Sequence, residues 1–107
     1  MTKKSTNIFD RLEAIAHKDK KNLTESTLKA CEELGELAQV ILPYDKVAGC
    51  KHKPTSRTMI LEESVDVILC AFAVAYKMGA KQEEIEQIME KKATKWENNL
   101  KKKANRK

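Results

Sequence analysis

The chain has 107 residues, 41% of them apolar and 35% charged, with only three glycines and two prolines, a composition that fits one all-α domain with a modest core of its own. Three cysteines (Cys31, Cys50 and Cys70) without CxxC spacing argue against a disulfide framework or a zinc ribbon. No run resembles a signal peptide or reaches transmembrane length, so no membrane is expected and the cytoplasm is the expected compartment.

The net charge is +5, but much of the excess sits at the two ends, in Lys3-Lys4 and in Lys101-Lys102-Lys103 through Arg106-Lys107. The expected domain spans 1–107, with a core of about 5–100 and a frayed basic tail over 101–107. Such a tail supports only weak, non-specific contact with nucleic acid.

Ser5 or Thr6 can cap a first helix, in which Ile8, Leu12 and Ile15 recur at helical spacing with Phe9 beside them. It fades in His17-Lys18-Asp19-Lys20-Lys21, where His17 reads as a solvated side chain favoured by the helix dipole. Asn22-Leu23-Thr24-Glu25 reads as a capping box. The second helix is expected from about Leu23 to Leu42, stopped by Pro43. Leu28, Cys31, Leu34, Ala38 and Ile41 form its apolar stripe, with Lys29, Glu33, Glu36 and Val40 opposite. Taken alone, Lys29 and Glu33 read as an i,i+4 ion pair of about 0.2–0.5 kcal/mol. Gly35, which costs up to about 1 kcal/mol in a helix interior, suits close approach of a neighbouring helix.

Residues 43–54 read as a loop whose basic cluster Lys51-His52-Lys53 can steer an anionic substrate. Cys50 and His52 make only half a zinc site. The third helix is expected from Thr55–Thr58 to about Met78, with Gly79 as its left-handed terminator. Its run Val65 to Tyr76 is apolar all round except for Asp66, which predicts a central helix covered on nearly every side. A carboxylate there is costly unless it is paired or metal-bound. Glu63 and Asp66 share a sector with Met59, Cys70 and Ala73. The fourth helix begins near Lys81, with Ile85, Ile88, Met89, Lys92 and Trp96 at 3-4-3-4 spacing. Trp96 is expected to pack over one end of the bundle.

The acidic segments carry the functional signal. Glu33 and Glu36, and then Glu63 and Asp66, are pairs three residues apart on a helix, so each pair shares a face. Two such helices side by side bring four carboxylates together, and these repel unless protons or cations neutralise them. Oxygen-only ligands suit a hard cation, Mg²⁺ or Mn²⁺. A buried structural salt bridge is the alternative for Asp66. No glycine-rich phosphate loop and no Ser-His-Asp or Cys-His arrangement is visible. A di-iron carboxylate bundle would require Glu-x-x-His motifs, and neither histidine follows a Glu by three.

The pattern Glu33-x-x-Glu36, 26 intervening residues, Glu63-x-x-Asp66 resembles the signature of the MazG-like all-α nucleoside triphosphate pyrophosphohydrolases. The wider matches are Lys29-Ala-Cys-Glu32-Glu33-Leu-Gly-Glu36-Leu, Leu61-Glu62-Glu63-Ser-Val-Asp66-Val and the later Lys91-to-Asn99 stretch, so the resemblance covers roughly Leu23 to Asn99. It implies a four-helix MazG-like subunit whose bundle core is completed by dimerisation, as a homodimer or homotetramer. It implies Mg²⁺-dependent hydrolysis of a (deoxy)nucleoside triphosphate to the monophosphate and pyrophosphate. Carried over by position, Glu33, Glu36, Glu63 and Asp66 would ligate the metal, and Glu32 and Glu62 would support catalysis, orienting a water. Lys29, Lys92 or Lys95, and Asn98 would contact phosphates. Phe9 or Trp96 could wall a base pocket. The rival reading is a helical binding or scaffolding module of the same fold without activity.

Overall fold

The computed structural model describes residues 7–105, which form four helices and no strand: α1 (Ile8–Lys18), α2 (Leu23–Tyr44), α3 (Arg57–Lys77) and α4 (Gln82–Ala104). Asn7 caps α1, its side chain accepting from the backbone N–H of Asp10 at 2.9 Å. Ser5 and Thr6, expected as caps, lie outside the described residues. The capping box of α2 forms as read: Asn22 Oδ1 accepts from the Glu25 N–H at 2.8 Å, and Glu25 Oε1 accepts from the Asn22 N–H at 2.9 Å. Each bond satisfies a donor that the first turn would otherwise leave free. Ser56 caps α3 through the Met59 N–H.

Pro43 does not end α2, which continues to Tyr44. Proline's fixed φ is already helical, and so near the C-terminus its missing N–H costs the helix a single bond. The termination falls to Lys46, a non-glycine residue at φ 59. The N–H of Lys46 bonds the Pro43 carbonyl and that of Val47 the Leu42 carbonyl, both at 3.0 Å. The same pair of bonds closes α3, where Gly79 (φ 86) donates to Tyr76 and Ala80 to Ala75. Both ends are Schellman motifs. Gly79 is the expected terminator, whereas at Lys46 the left-handed backbone carries a side chain, a conformation costing about 1–2 kcal/mol.

The core lies at the C-terminal half of α3. Tyr76 is fully buried (0% exposed) among Ala16 and Ile85, with Leu12, Phe72, Ala73 and Ala80 packed around them. Phe9 meets Phe72 edge-on at 5.7 Å between centroids, and Phe72 stacks on Tyr76 at 5.9 Å. The Tyr76 hydroxyl donates to Gln82 Oε1 at 2.9 Å, which satisfies a buried phenol and ties the start of α4 to α3. Lys77 fastens the α1–α2 connection to α3. Its Nζ donates to the Lys21 carbonyl at 2.6 Å and the Ser26 hydroxyl at 2.9 Å, and lies 3.3 Å from Asp19 Oδ2.

The long contacts are α2 against α3 and α1 against α3, so α3 is central as its apolar sequence predicts. It is not covered on every side. Leu61, Val65, Ile68 and Leu69, in its first thirteen residues, stay exposed, because the core shared with α1 begins only at Phe72. The stripe expected to bury α2 faces outward as well: Leu28 (63% exposed), Leu34 and Cys31 are all exposed. The opposite face, with Ser26, Glu33 and Val40, is the one buried. A helix apolar on one side and acidic on the other here turns its acidic side inward. The fourth helix packs through Ile85 and Gln82 and then leaves the body; every residue from Glu83 to Asn105 other than Ile85 is exposed. Trp96, expected to pack over one end of the bundle, is 69% exposed. The expected tail is helical from Lys101 through Ala104, because the preceding turns template it; Arg106 and Lys107 lie outside the described residues. The radius of gyration is 17.8 Å, against about 13 Å for a closed domain of this length.

Candidate metal centre

Packing α2 on α3 brings the carboxylates together through Glu33. Its ligand oxygen lies within 4.8 Å of those of Glu63 and Asp66, and a second grouping at the same separation joins Glu33 to Glu32 and Glu36. Three of the four expected metal ligands therefore meet directly, and the fourth, Glu36, joins them through Glu33. Glu33 is buried (9% exposed), and Glu36, Glu63 and Asp66 are half-buried at the mouth of the α2–α3 seam. Met59, Cys70 and Ala73, in the same helical sector as Glu63 and Asp66, are half-buried, and Cys70 and Ala73 face Ser26 and Lys29 of α2 across a cavity.

Two oxygens at this point are buried without a hydrogen-bond partner, Glu33 Oε2 and Glu63 Oε1. A buried carboxylate oxygen without a donor is costly. Here one is contributed from each helix, towards a third carboxylate on Asp66. The donor set fits a hard divalent cation: oxygens alone, no histidine or cysteine in either grouping, and more negative charge than the nearby cation balances. No structural salt bridge takes up Asp66 among the described residues, so the alternative weighed for it finds no partner.

That nearby cation is Lys29. Its Nζ donates to Glu32 Oε1 at 2.7 Å and lies 3.6 Å from Glu33 Oε1. The pairing holds the Glu32 carboxyl below its ordinary range and raises the Lys29 ammonium above its own. Glu36 moves the other way: the charge on Glu33, with burial and Glu63 behind it, pushes its carboxyl up. Burial raises the Cys70 thiol, with Glu33 adding to the effect.

The remaining expected residues are placed unevenly. Glu62 is exposed and belongs to neither carboxylate grouping. Lys92, Lys95 and Asn98 sit on the free part of α4, and none of the cations acting on Glu36 comes from that helix. Phe9 is committed to the aromatic core and Trp96 to solvent, so neither walls a pocket in this subunit. A feature not anticipated is a cavity of about 200 Å³ beside Lys29, which none of the clustered carboxylates lines. Asp19, Lys21, Ser26 and Lys29 line one side, with Asp19 paired to Lys21, and Leu69, Cys70 and Ala73 form an apolar floor. Its signal in the sequence was the apolar run after Asp66 together with the polar turn before Leu23, which only tertiary packing places side by side.

No protein-family model, no curated protein and no solved structure matches this chain. No helix among the described residues is long and apolar enough to cross a membrane.

Proposed function

We propose that the chain is a divalent-cation-dependent nucleoside triphosphate pyrophosphohydrolase, working with Mg²⁺ or Mn²⁺. The observation that carries this reading is the pair of orphaned oxygens, Glu33 Oε2 and Glu63 Oε1, buried beside Asp66. Glu33, Glu36, Glu63 and Asp66 would hold the cation. A cation held by these four side chains would supply neutralisation of triphosphate charge and Lewis acidity toward the attacked phosphoryl group.

The chain's own groups do the rest. Lys29 fixes the orientation of Glu32 and Glu33 by bonding one and facing the other. Glu32, kept ionised, is an acceptor that can align a water. The cavity beside Lys29 has a polar wall for a sugar or phosphate and an apolar floor for a base. The exposed faces of α2 and α3 support a dimer or tetramer, since uncovered apolar stripes of this kind usually mark interfaces.

The test is pyrophosphate release from a panel of canonical and modified nucleoside triphosphates, in Mg²⁺ and in chelator, with Asp66→Asn as control. Metal-dependent release, reduced by about 10–100-fold or more in the variant, is expected for loss of a metal ligand or its immediate support. Undiminished turnover by Asp66→Asn would refute the site. No turnover by folded protein on any substrate would favour the binding-module reading.

A further inference from the structure

The excess positive charge of the chain lies in one place. Residues 1–90 carry 13 basic and 15 acidic side chains, and residues 91–107 carry eight and one, so the body is slightly acidic and the end strongly basic. Most of that charge belongs to α4 rather than to a frayed tail, since the helix runs to Ala104. Lys91, Lys92, Lys95, Lys102 and Lys103 are exposed and form no ion pair among the described residues. A helix C-terminus favours cations only within its last turn. That accounts for Lys102 and Lys103, but Lys91, Lys92 and Lys95 stand about two to four turns upstream at 3.6 residues per turn.

These five lysines share a face. At about 100° per residue they fall within a sector of about 120° around α4. Trp96 borders that sector and is exposed, with Lys92 one turn before it and Asn99 one turn after. Asn99, Lys102 and Lys103 line a shallow depression together with Asn105. Glu90 and Glu97 lie on the other side of the tryptophan. From Lys91 to Lys103 the helix rises about 18 Å, the length of about five phosphates at the 3.4 Å step of a stacked strand. A nucleic-acid strand offers both what the lysines attract and an aromatic face for the indole. A lipid surface fits worse, because beyond Glu90 only Trp96 and Leu100 are large apolar side chains, which leaves little area to bury. An acidic protein surface would meet the lysines but has no base to stack on the indole.

We propose that this face of α4, from Lys91 to Lys103, binds single-stranded nucleic acid, with the lysines along the phosphates and the Trp96 indole stacked on a base. The lysines attract any strand, and the indole stacks on any base, so the surface recognises an unpaired strand rather than a sequence. Asn99 places an amide beside the indole, where it can bond a base edge. The slightly acidic body confines the strand to this helix. The surface is independent of the pyrophosphohydrolase reading, and Lys91, Lys102 and Lys103 are not among the residues assigned to the triphosphate.

Trp96 is the only tryptophan of the chain, so its emission reports on this surface directly. The full chain is titrated with an unstructured deoxythymidine oligomer of about 12 nucleotides, within the usual range of single-strand sites. Quenching is expected, with an affinity that falls about 100-fold between about 50 and 200 mM salt if five phosphates each contribute a slope of about −0.7. Lys91→Gln/Lys102→Gln/Lys103→Gln should reduce that slope by about 2. Trp96→Ala, followed through the anisotropy of a labelled strand, should bind about 5- to 150-fold more weakly, the range for one lost stacking partner. All four side chains are exposed, and unchanged helicity by circular dichroism checks that the variants fold. No quenching at low salt, or an affinity indifferent to both variants, overturns the proposal. Tighter binding to the matching duplex overturns the single-strand assignment, and so does equal quenching by heparin, which carries the charge without the bases. Emission that shifts on dilution of the chain alone, or with phosphatidylserine vesicles but not with the strand, assigns Trp96 to a second copy or to a lipid surface instead. None of these readouts involves turnover, so they stand or fall apart from the enzymatic reading.

Discussion

Replacing Glu63 with Gln removes one negative charge from a place where three carboxylates converge. Its ligand oxygen lies within 4.8 Å of those of Glu33 and Asp66. Each such pair repels by about 0.9 kcal/mol at the dielectric of water and about 3.5 kcal/mol at an effective dielectric of 20. The site opens to solvent on one side, so the low end applies, and two pairs sum to about 2 kcal/mol. The new amide can also donate to Glu33 Oε2, which has no partner. Glu63→Gln should therefore raise the stability of the metal-free protein by about 2 kcal/mol, or roughly 8–16 °C in Tm for a domain of this size. The assay is thermal unfolding at fixed chain concentration, in chelator and in excess Mg²⁺. The wild type should gain about 2.7 kcal/mol when the cation is at a hundred times its Kd. The variant should lose most of that gain, so its advantage in chelator shrinks or reverses in Mg²⁺. A fall in Tm in chelator would show that Glu63 makes a stabilising interaction, and the account of converging, uncompensated charge would be wrong.

Two further outcomes follow from the core and the α1–α2 connection. Tyr76→Phe removes the bond to Gln82 from a fully buried side chain, and denaturant unfolding should show a loss of about 1–2 kcal/mol. The Asp19 carboxyl is held below its ordinary value of 3.8, chiefly by the Lys21 backbone N–H; burial opposes this as the next-largest effect, and Lys77 adds to the lowering. A depressed folded pKa means that its contribution to stability is present above the unfolded value and lost as pH falls through the folded one. Asp19→Asn should accordingly lower stability in the neutral region, where the charged carboxylate contributes, and change it little at the acid extreme, so that the acid limb below about pH 4 flattens; an unchanged profile would remove Asp19 from that role.

The parts of the fold that depend on neighbouring residues were readable from the sequence. Asn22 and Glu25 close a capping box within one turn, and Gly79 alone marks a left-handed terminator, so the limits of α2 and α3 followed at those ends. Lys46 does the same work as Gly79 without a glycine to announce it, and Pro43 suggested a stop two residues too early. The spacing of Glu33, Glu36, Glu63 and Asp66 identified the carboxylates that meet, because α2 and α3 pack along that face. Periodicity shows that a helix has an apolar side but not what covers it. For that reason Leu28, Leu34 and Trp96 read as core residues yet are exposed in the subunit, and Lys92, Lys95 and Asn98 read as site residues yet stand apart from it. The position of α4 depends on contacts that no spacing within α4 records.

The third helix divides its length between two tasks. Its C-terminal half, at Phe72 and Tyr76, closes the core; its N-terminal half, at Glu63 and Asp66, carries the charge. Glu63 and Tyr76 are separated by about 20 Å of helix, well beyond the roughly 7–10 Å within which substitutions usually couple. Changes at one end should add to changes at the other without interaction. A lineage carrying this chain could alter the acidic end, and with it the ligand, while the aromatic end kept the helix folded, so new chemistry could be tried there without first acquiring a more stable scaffold.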